Sequence, residues 1–144
     1  MLRLAVLALI SLATVPLSAS QFSRTAAAAG ALRSQRPTEL LVFAGKDNQV
    51  FLGCLTCSDY DPSSIHNALG SYGSKYSLTS ILNPDSDYGS QHGPESACNP
   101  YALKAPVIMN RDGKDFGQLT VNKSNRQRTK IAAVLQFIAA VCGQ

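Results

Sequence analysis

Short apolar runs separated by turn-forming residues set the pattern of the chain from Pro37 onward. Residues 40–44 are one such run, residues 45–49 are polar and turn-prone, and residues 50–57 bring Val, Phe, Leu and Thr. Two runs about a polar turn predict a β-hairpin. Residues 106–109, 110–114 and 116–121 repeat the arrangement, and Asp112 with Gly113 gives the stronger turn signal. Near the C-terminus the period changes. Ile131, Val134, Leu135, Ile138 and Cys142 fall at helical spacing, Asn125 or Thr129 can cap the start, and Gly143 can end it. The opposite face, Ala132, Ala133, Gln136, Ala139 and Ala140, carries no charge, which predicts a helix packed on most sides.

Between the hairpins the hydrophobic residues thin out and a different order takes over. Ser64-Ile65-His66-Asn67 recurs sixteen residues later as Ser80-Ile81-Leu82-Asn83, and again as Ser96-Ala97-Cys98-Asn99. Tyr72-Gly73-Ser74 recurs at the same offset as Tyr88-Gly89-Ser90. Ser, Gly and Asn in such density favour turns whose side chains bond nearby backbone. Two full units and a closing anchor fall short of a free-standing solenoid, so the turns are expected to lean on the hairpin sheet. The hairpins also resemble each other at an offset of 64, where residues 52–56 lie over 116–120. The fold class read from this pattern is α+β: two β-hairpins forming a small antiparallel sheet, a turn-rich insert of 16-residue repeats, and one C-terminal helix.

The chain does not all belong to that domain. Arg3, the uncharged apolar stretch 4–15 and the small residues at 16–20 read as a secretory signal over residues 1–20, too short in its apolar part to span a bilayer. Residues 21–36 are alanine-rich, low in complexity and read as a flexible leader, which leaves 37–144 as one disulfide-stapled domain. The expected location is outside the cytoplasm, in the periplasm or the medium. A cell-surface or envelope component is the partner this location suggests, with no membrane span once the signal is removed.

Of 13 basic residues only Arg3 lies in the signal, which leaves 12 against 9 acidic ones. Residues 47–95 hold six acids and one base, Lys75, whereas residues 104–130 hold seven bases and two acids. There is no Trp and no basic run interleaved with aromatics, which argues against nucleic-acid binding. Four cysteines, Cys54, Cys57, Cys98 and Cys142, in an exported chain of this size predict two structural disulfides. If residues 50–57 form one strand, alternation and the offset of 64 point Cys57 to the core and Cys54 away from it. That favours Cys57–Cys98 with Cys54–Cys142 among the three possible connectivities.

Residues 51–56, the Ser-Ile-x-Asn anchors, residues 72–77, Asn99-Pro100-Tyr101-Ala102 and Pro106-Val107-Ile108 together resemble a family of uncharacterised exported bacterial proteins. The resemblance covers roughly residues 40–130. It implies the same order of hairpin, repeat and hairpin, and no activity. The chain departs from the family in carrying His66 and Leu82 where an aromatic is usual, and an unusually acidic stretch at 83–87.

Candidate chemistry is sparse. Cys54-Leu55-Thr56-Cys57 has thioredoxin-like spacing, but it sits at a strand end before the acidic turn 58–62 rather than at a helix N-terminus. The four cysteines with His66 and His92 could supply zinc ligands, yet only the first pair is suitably spaced. Asn83, Asp85 and Asp87 alternate oxygens as a calcium loop does, without its glycine at the sixth place or glutamate at the twelfth, so calcium is the one cofactor considered. Asp85, Asp87 and Glu95 lack the ordering a glycosidase pair needs. No nucleophile elbow, phosphate loop or nucleotide fingerprint is present. All five tyrosines lie in or beside the repeat, and Tyr72, Tyr76, Tyr88 and Tyr101 form the candidate binding surface. The sequence therefore favours a non-enzymatic binding or structural module. The alternative is a small thiol–disulfide or metal-dependent enzyme using the C-x-x-C pair.

Overall fold

The computed structural model describes residues 38–144; the expected signal and leader, residues 1–36, lie outside them. The chain forms β1 (Leu41–Ala44), β2 (Val50–Cys54), β3 (Val107–Met109), β4 (Asp115–Gln118) and one helix, α1 (Ala132–Val141). The strands make one antiparallel sheet in the order β2-β1-β3-β4. The two hairpins join through their first strands, with Leu41 opposite Met109, Val42 opposite Ile108 and Phe43 opposite Val107. Alternation in β1 sends Val42 and Ala44 to the core and leaves Leu41 and Phe43 half-buried on the other face. There Phe43 meets Phe51, whose ring lies 4.9 Å from that of Tyr72.

Both outer strands are shorter than the sequence pattern predicts. β2 ends at Cys54 and β4 at Gln118, each one residue after a glycine with positive φ (Gly53, 116°; Gly117, 90°). A residue with a Cβ is strained there, and the chain leaves the strand direction. The next segments bond along the outer edges. Cys54 donates its N–H to Ser63 O and accepts from Ile65 N–H. Gln118 donates to Gln127 O and accepts from Thr129 N–H. The two sets of partners are related by 64 residues, the offset at which the hairpin sequences resemble each other.

Residues 58–90 form a chain of backbone-bonded turns, each starting where the previous one ends, and the turns 93–96 and 99–102 continue it. From Ser64, the N–H groups of Asn67 and Gly70 donate three residues back, Ser74 four back, and Ser77 and Ser80 three back. Five such turns advance the chain from the first anchor to the second, which accounts for the sixteen-residue spacing. Side chains hold the corners. Oγ of Ser64, Ser80 and Ser96 each accepts from the N–H two residues on, as does Oδ1 of Asn67, Asn83 and Asn99. The amides of the same three asparagines donate to the carbonyls six residues back, those of Asp61, Ser77 and Gly93. Gly73 and Gly89 are required by close approach, because a Cβ there would fall 2.2 Å from Asn67 O and 2.3 Å from Asn83 O.

Ile65, Ile81 and Ala97 point inward from the anchors and meet Val42, Leu52, Ile108 and Leu119 of the hairpins with Val134 and Ile138 of α1. The polar links continue round this core. Ser80 Oγ donates to Tyr72 O, Ala97 N–H to Tyr88 O, Val121 N–H to Ala97 O, and Leu119 N–H to Pro106 O. The circuit thus leaves the sheet at β2, passes the three anchors and returns beside β4.

The helix starts later than its expected caps. Ile131 is the N-cap, Thr129 Oγ1 accepts from Ile131 N–H, and Asn125 caps a turn instead by accepting from Gln127 N–H. Gly143 (φ 67°) ends it as expected, with Gln144 N–H donating to Ala139 O. The expectation of packing on most sides is corrected: Ala132, Ala133, Gln136 and Ala140 are exposed. Alanine favours a helix wherever its methyl points, so an uncharged alanine face does not require burial. No helix among the described residues is long and apolar enough to cross a membrane.

Candidate binding surface

The four cysteines are all bridged, but not in the favoured connectivity. The bonds are Cys54–Cys57 and Cys98–Cys142, with Cα atoms 5.5 and 5.3 Å apart. The expectation failed because it ran strand alternation through Cys57, three residues past the end of β2. Cys54 is fully buried and Cys57 only partly, the reverse of the inferred facing. Cys98 takes the third anchor position, and that position lies along α1. The His66 ring is 5.3 Å from Phe137, while Leu82 and Cys98 line a cavity with Val141 and Cys142. The two disulfides and the lack of a membrane-crossing helix among the described residues are compatible with an exported protein.

The disulfides leave none of the four sulfurs as a thiolate for zinc. His66 Nε2 lies 3.0 Å from Leu55 O, and His92 is exposed on a turn. At the calcium candidate, Asn83 is buried with Oδ1 accepting from Asp85 N–H and its amide donating to Ser77 O, while Asp85 and Asp87 are exposed. Asn83 thus acts as a turn brace, like Asn67 and Asn99. No group of three His, Cys, Asp or Glu side chains gathers as a metal site among the described residues.

The tyrosines separate into two classes by their place in the turns. Tyr72 and Tyr88 immediately precede the closely packed Gly73 and Gly89 and lie half-buried against the core. Burial pushes the Tyr88 hydroxyl above the usual phenol range, with Glu95 and Asp87 adding to the effect. Tyr76 and Tyr101 are 93% and 84% exposed. Tyr60, sixteen residues before Tyr76, is also 93% exposed. Both sit third in a turn, between Ser58 and Asp61 and between Ser74 and Ser77, and His92 holds the matching position between Ser90 and Gly93, a bend closed by Ser90 Oγ accepting from Gly93 N–H.

Sequence reasoning passed over three further apolar residues: Leu69, Leu78 and Leu103, all strongly exposed. Position in the repeat was the available signal, since Leu69 lies two units before exposed Tyr101. Charge on this part of the surface is mainly negative. Asp61 accepts from both Oγ–H and N–H of Ser63, which hold its carboxyl below the usual aspartate range against a small opposing effect of burial. The arrangement offers rings, small hydroxyls and acids on a frame of turns. Compared with protein families, with curated proteins and with solved structures, the chain matches none of them.

Proposed function

We propose that this chain is an exported, non-enzymatic binding or structural module that presents its 16-residue Tyr/Gly/Ser-rich repeats as a surface toward a component of the cell envelope. The observation that carries the reading is the exposure of Tyr60 and Tyr76 at equivalent corners sixteen residues apart. An amphipathic ring kept out of a core that has room for Tyr72 and Tyr88 is available for recognition. The two disulfides and the lack of a membrane-crossing helix among the described residues are compatible with that location. Co-sedimentation of the secreted protein with a purified envelope fraction tests it. Binding of the native chain and its loss in Tyr76→Ser/Tyr101→Ser is the expected result; equal sedimentation of both, or of neither, refutes it.

The thiol–disulfide alternative has one observation in its favour, the closed Cys54–Cys57 pair. The first sulfur is buried, no helix N-terminus follows, and Asp59 and Asp61 make the neighbourhood acidic. Acceleration of insulin reduction by dithiothreitol, abolished in Cys57→Ser, would establish that alternative.

A further inference from the structure

We propose that the corner shared by Tyr60, Tyr76 and His92 is a stacking site for a linear, uncharged polysaccharide, a ligand class that deepens the surface reading above and rests on it. Three features select this occupant.

The first is repetition. The position recurs at sixteen-residue intervals, each time two residues after a serine: backbone bonds close the turns Ser58–Asp61 and Ser74–Ser77, and Ser90 Oγ, accepting from Gly93 N–H, closes the third. A ligand that engages successive corners alike must itself be periodic, which favours a polymer over a compact small molecule. A small molecule is held by a concave site that buries most of its surface; Tyr76 and His92 each border a shallow cavity, but their rings, like that of Tyr60, stay largely exposed.

The second is chemistry. Tyr60 and Tyr76 are each 93% exposed, so the faces of the rings are free. A hexose offers an apolar C–H face to such a ring and a rim of hydroxyls to the serines and polar side chains around it.

The third is charge. Residues 58–102 hold Asp59, Asp61, Asp85, Asp87 and Glu95 against Lys75, and Arg111 is the further cation that acts on Asp61, which leaves the acids in excess. Within a Debye length of about 8 Å at physiological salt, this excess disfavours polyanions such as nucleic acid or a uronic acid polymer. An extended peptide adding to the sheet is also disfavoured, because Cys54 and Gln118 on the outer strands already bond to turn backbone.

The test uses the secreted chain in affinity electrophoresis through soluble neutral glucan and xylan, and in pull-down on cellulose and chitin, with alginate as the anionic control. Retention on at least one neutral polymer and none on alginate is expected. Tyr60→Ala/Tyr76→Ala should weaken that retention at least tenfold. Tyr60→Phe/Tyr76→Phe, which keeps the rings, should stay within about threefold of native, and an unchanged thermal midpoint shows that the fold is intact. Absence of retention on every neutral polymer, preference for alginate, partition onto phosphatidylglycerol vesicles instead, or retention indifferent to the alanine pair would overturn the proposal. If envelope sedimentation is lost in the tyrosine variants yet no neutral polysaccharide retains the native chain, the polysaccharide is wrong and the surface reading stands. If neither is seen, both fall.

Discussion

The two disulfides should differ sharply in what they contribute, and the difference follows from the loops they close. Cys98–Cys142 spans 44 residues, and loop-closure entropy for a span of that size corresponds to about 4 kcal/mol at 25 °C. Cys54–Cys57 spans three residues, for which the same relation gives about 1.6 kcal/mol. Cys98→Ala/Cys142→Ala should therefore lose roughly 2 kcal/mol more than Cys54→Ala/Cys57→Ala, before any packing loss at the nearly buried sulfurs. For a domain of this size that is a large part of the total stability, commonly about 5–15 kcal/mol. Urea unfolding of the native chain and both pairs, at one temperature and with slopes compared, measures it. Hydrogen exchange adds a local readout. The Leu135 and Cys142 amides, bonded to Ile131 O and Ile138 O, should lose protection first in the Cys98/Cys142 pair. Equal losses, or a larger loss from the Cys54/Cys57 pair, would refute the reasoning, because loop length would then not govern either bond.

Four further outcomes can be checked. Gly73→Ala should cost about 1–3 kcal/mol in urea unfolding because the new Cβ meets the Asn67 carbonyl. Gly113→Ala, in open space but at φ 78°, should cost only about 1 kcal/mol. Asn83→Ala should lose about 1–2 kcal/mol through the Asp85 N–H left without its partner and the loss of one of the two bonds to Ser77 O, which still accepts from Ser80 N–H, a deficit that calcium does not relieve if the residue is a turn brace. Asp61→Asn should flatten the acid limb of stability. The Asp61 carboxyl is held below its ordinary range, so the folded chain binds protons less readily than the unfolded one. The contribution is full above the unfolded pKa and fades as pH falls through the folded one. Thermal midpoints of native and Asp61→Asn should therefore converge toward low pH. The substituted amide oxygen can still accept from Ser63 N–H, as the Asn125 side chain accepts from Gln127 N–H.

What was legible in the sequence was what local pattern controls. Apolar runs about polar turns located both hairpins, and the spacing of Ile131, Val134 and Ile138 located α1 and its buried face. Strand ends were less legible, because Gly53 and Gly117 turn the chain through conformations that a run of apolar letters does not register. That local event also misdirected the cysteine pairing. The anchors were visible as words, but their mechanism was not. The chained turns bury one apolar side chain per sixteen residues at Ile65, Ile81 and Ala97, with Cys98 and Ala102 near the end, too sparse a set for a hydrophobic period to reveal them. The exposed corners at Leu69 and Leu78 were missed for a related reason: hydrophobicity alone suggests burial, and only position in the turn reverses it.

The polar circuit that leaves the sheet at β2 and returns beside β4 has a consequence for how this chain can change in length. An open stack gains or loses a unit at its end with little effect elsewhere. Here the last anchor is held from two sides, through Ala97 to Val121 and through Cys98 to Cys142. Deleting residues 73–88 would shorten the circumference while the sheet kept its width, so either the Val121 bond or the disulfide would lose its partner. Adding sixteen residues would open the same seam. Copy number is therefore fixed by closure, and tolerated insertions belong at exposed corners such as Asp112 and Gly113.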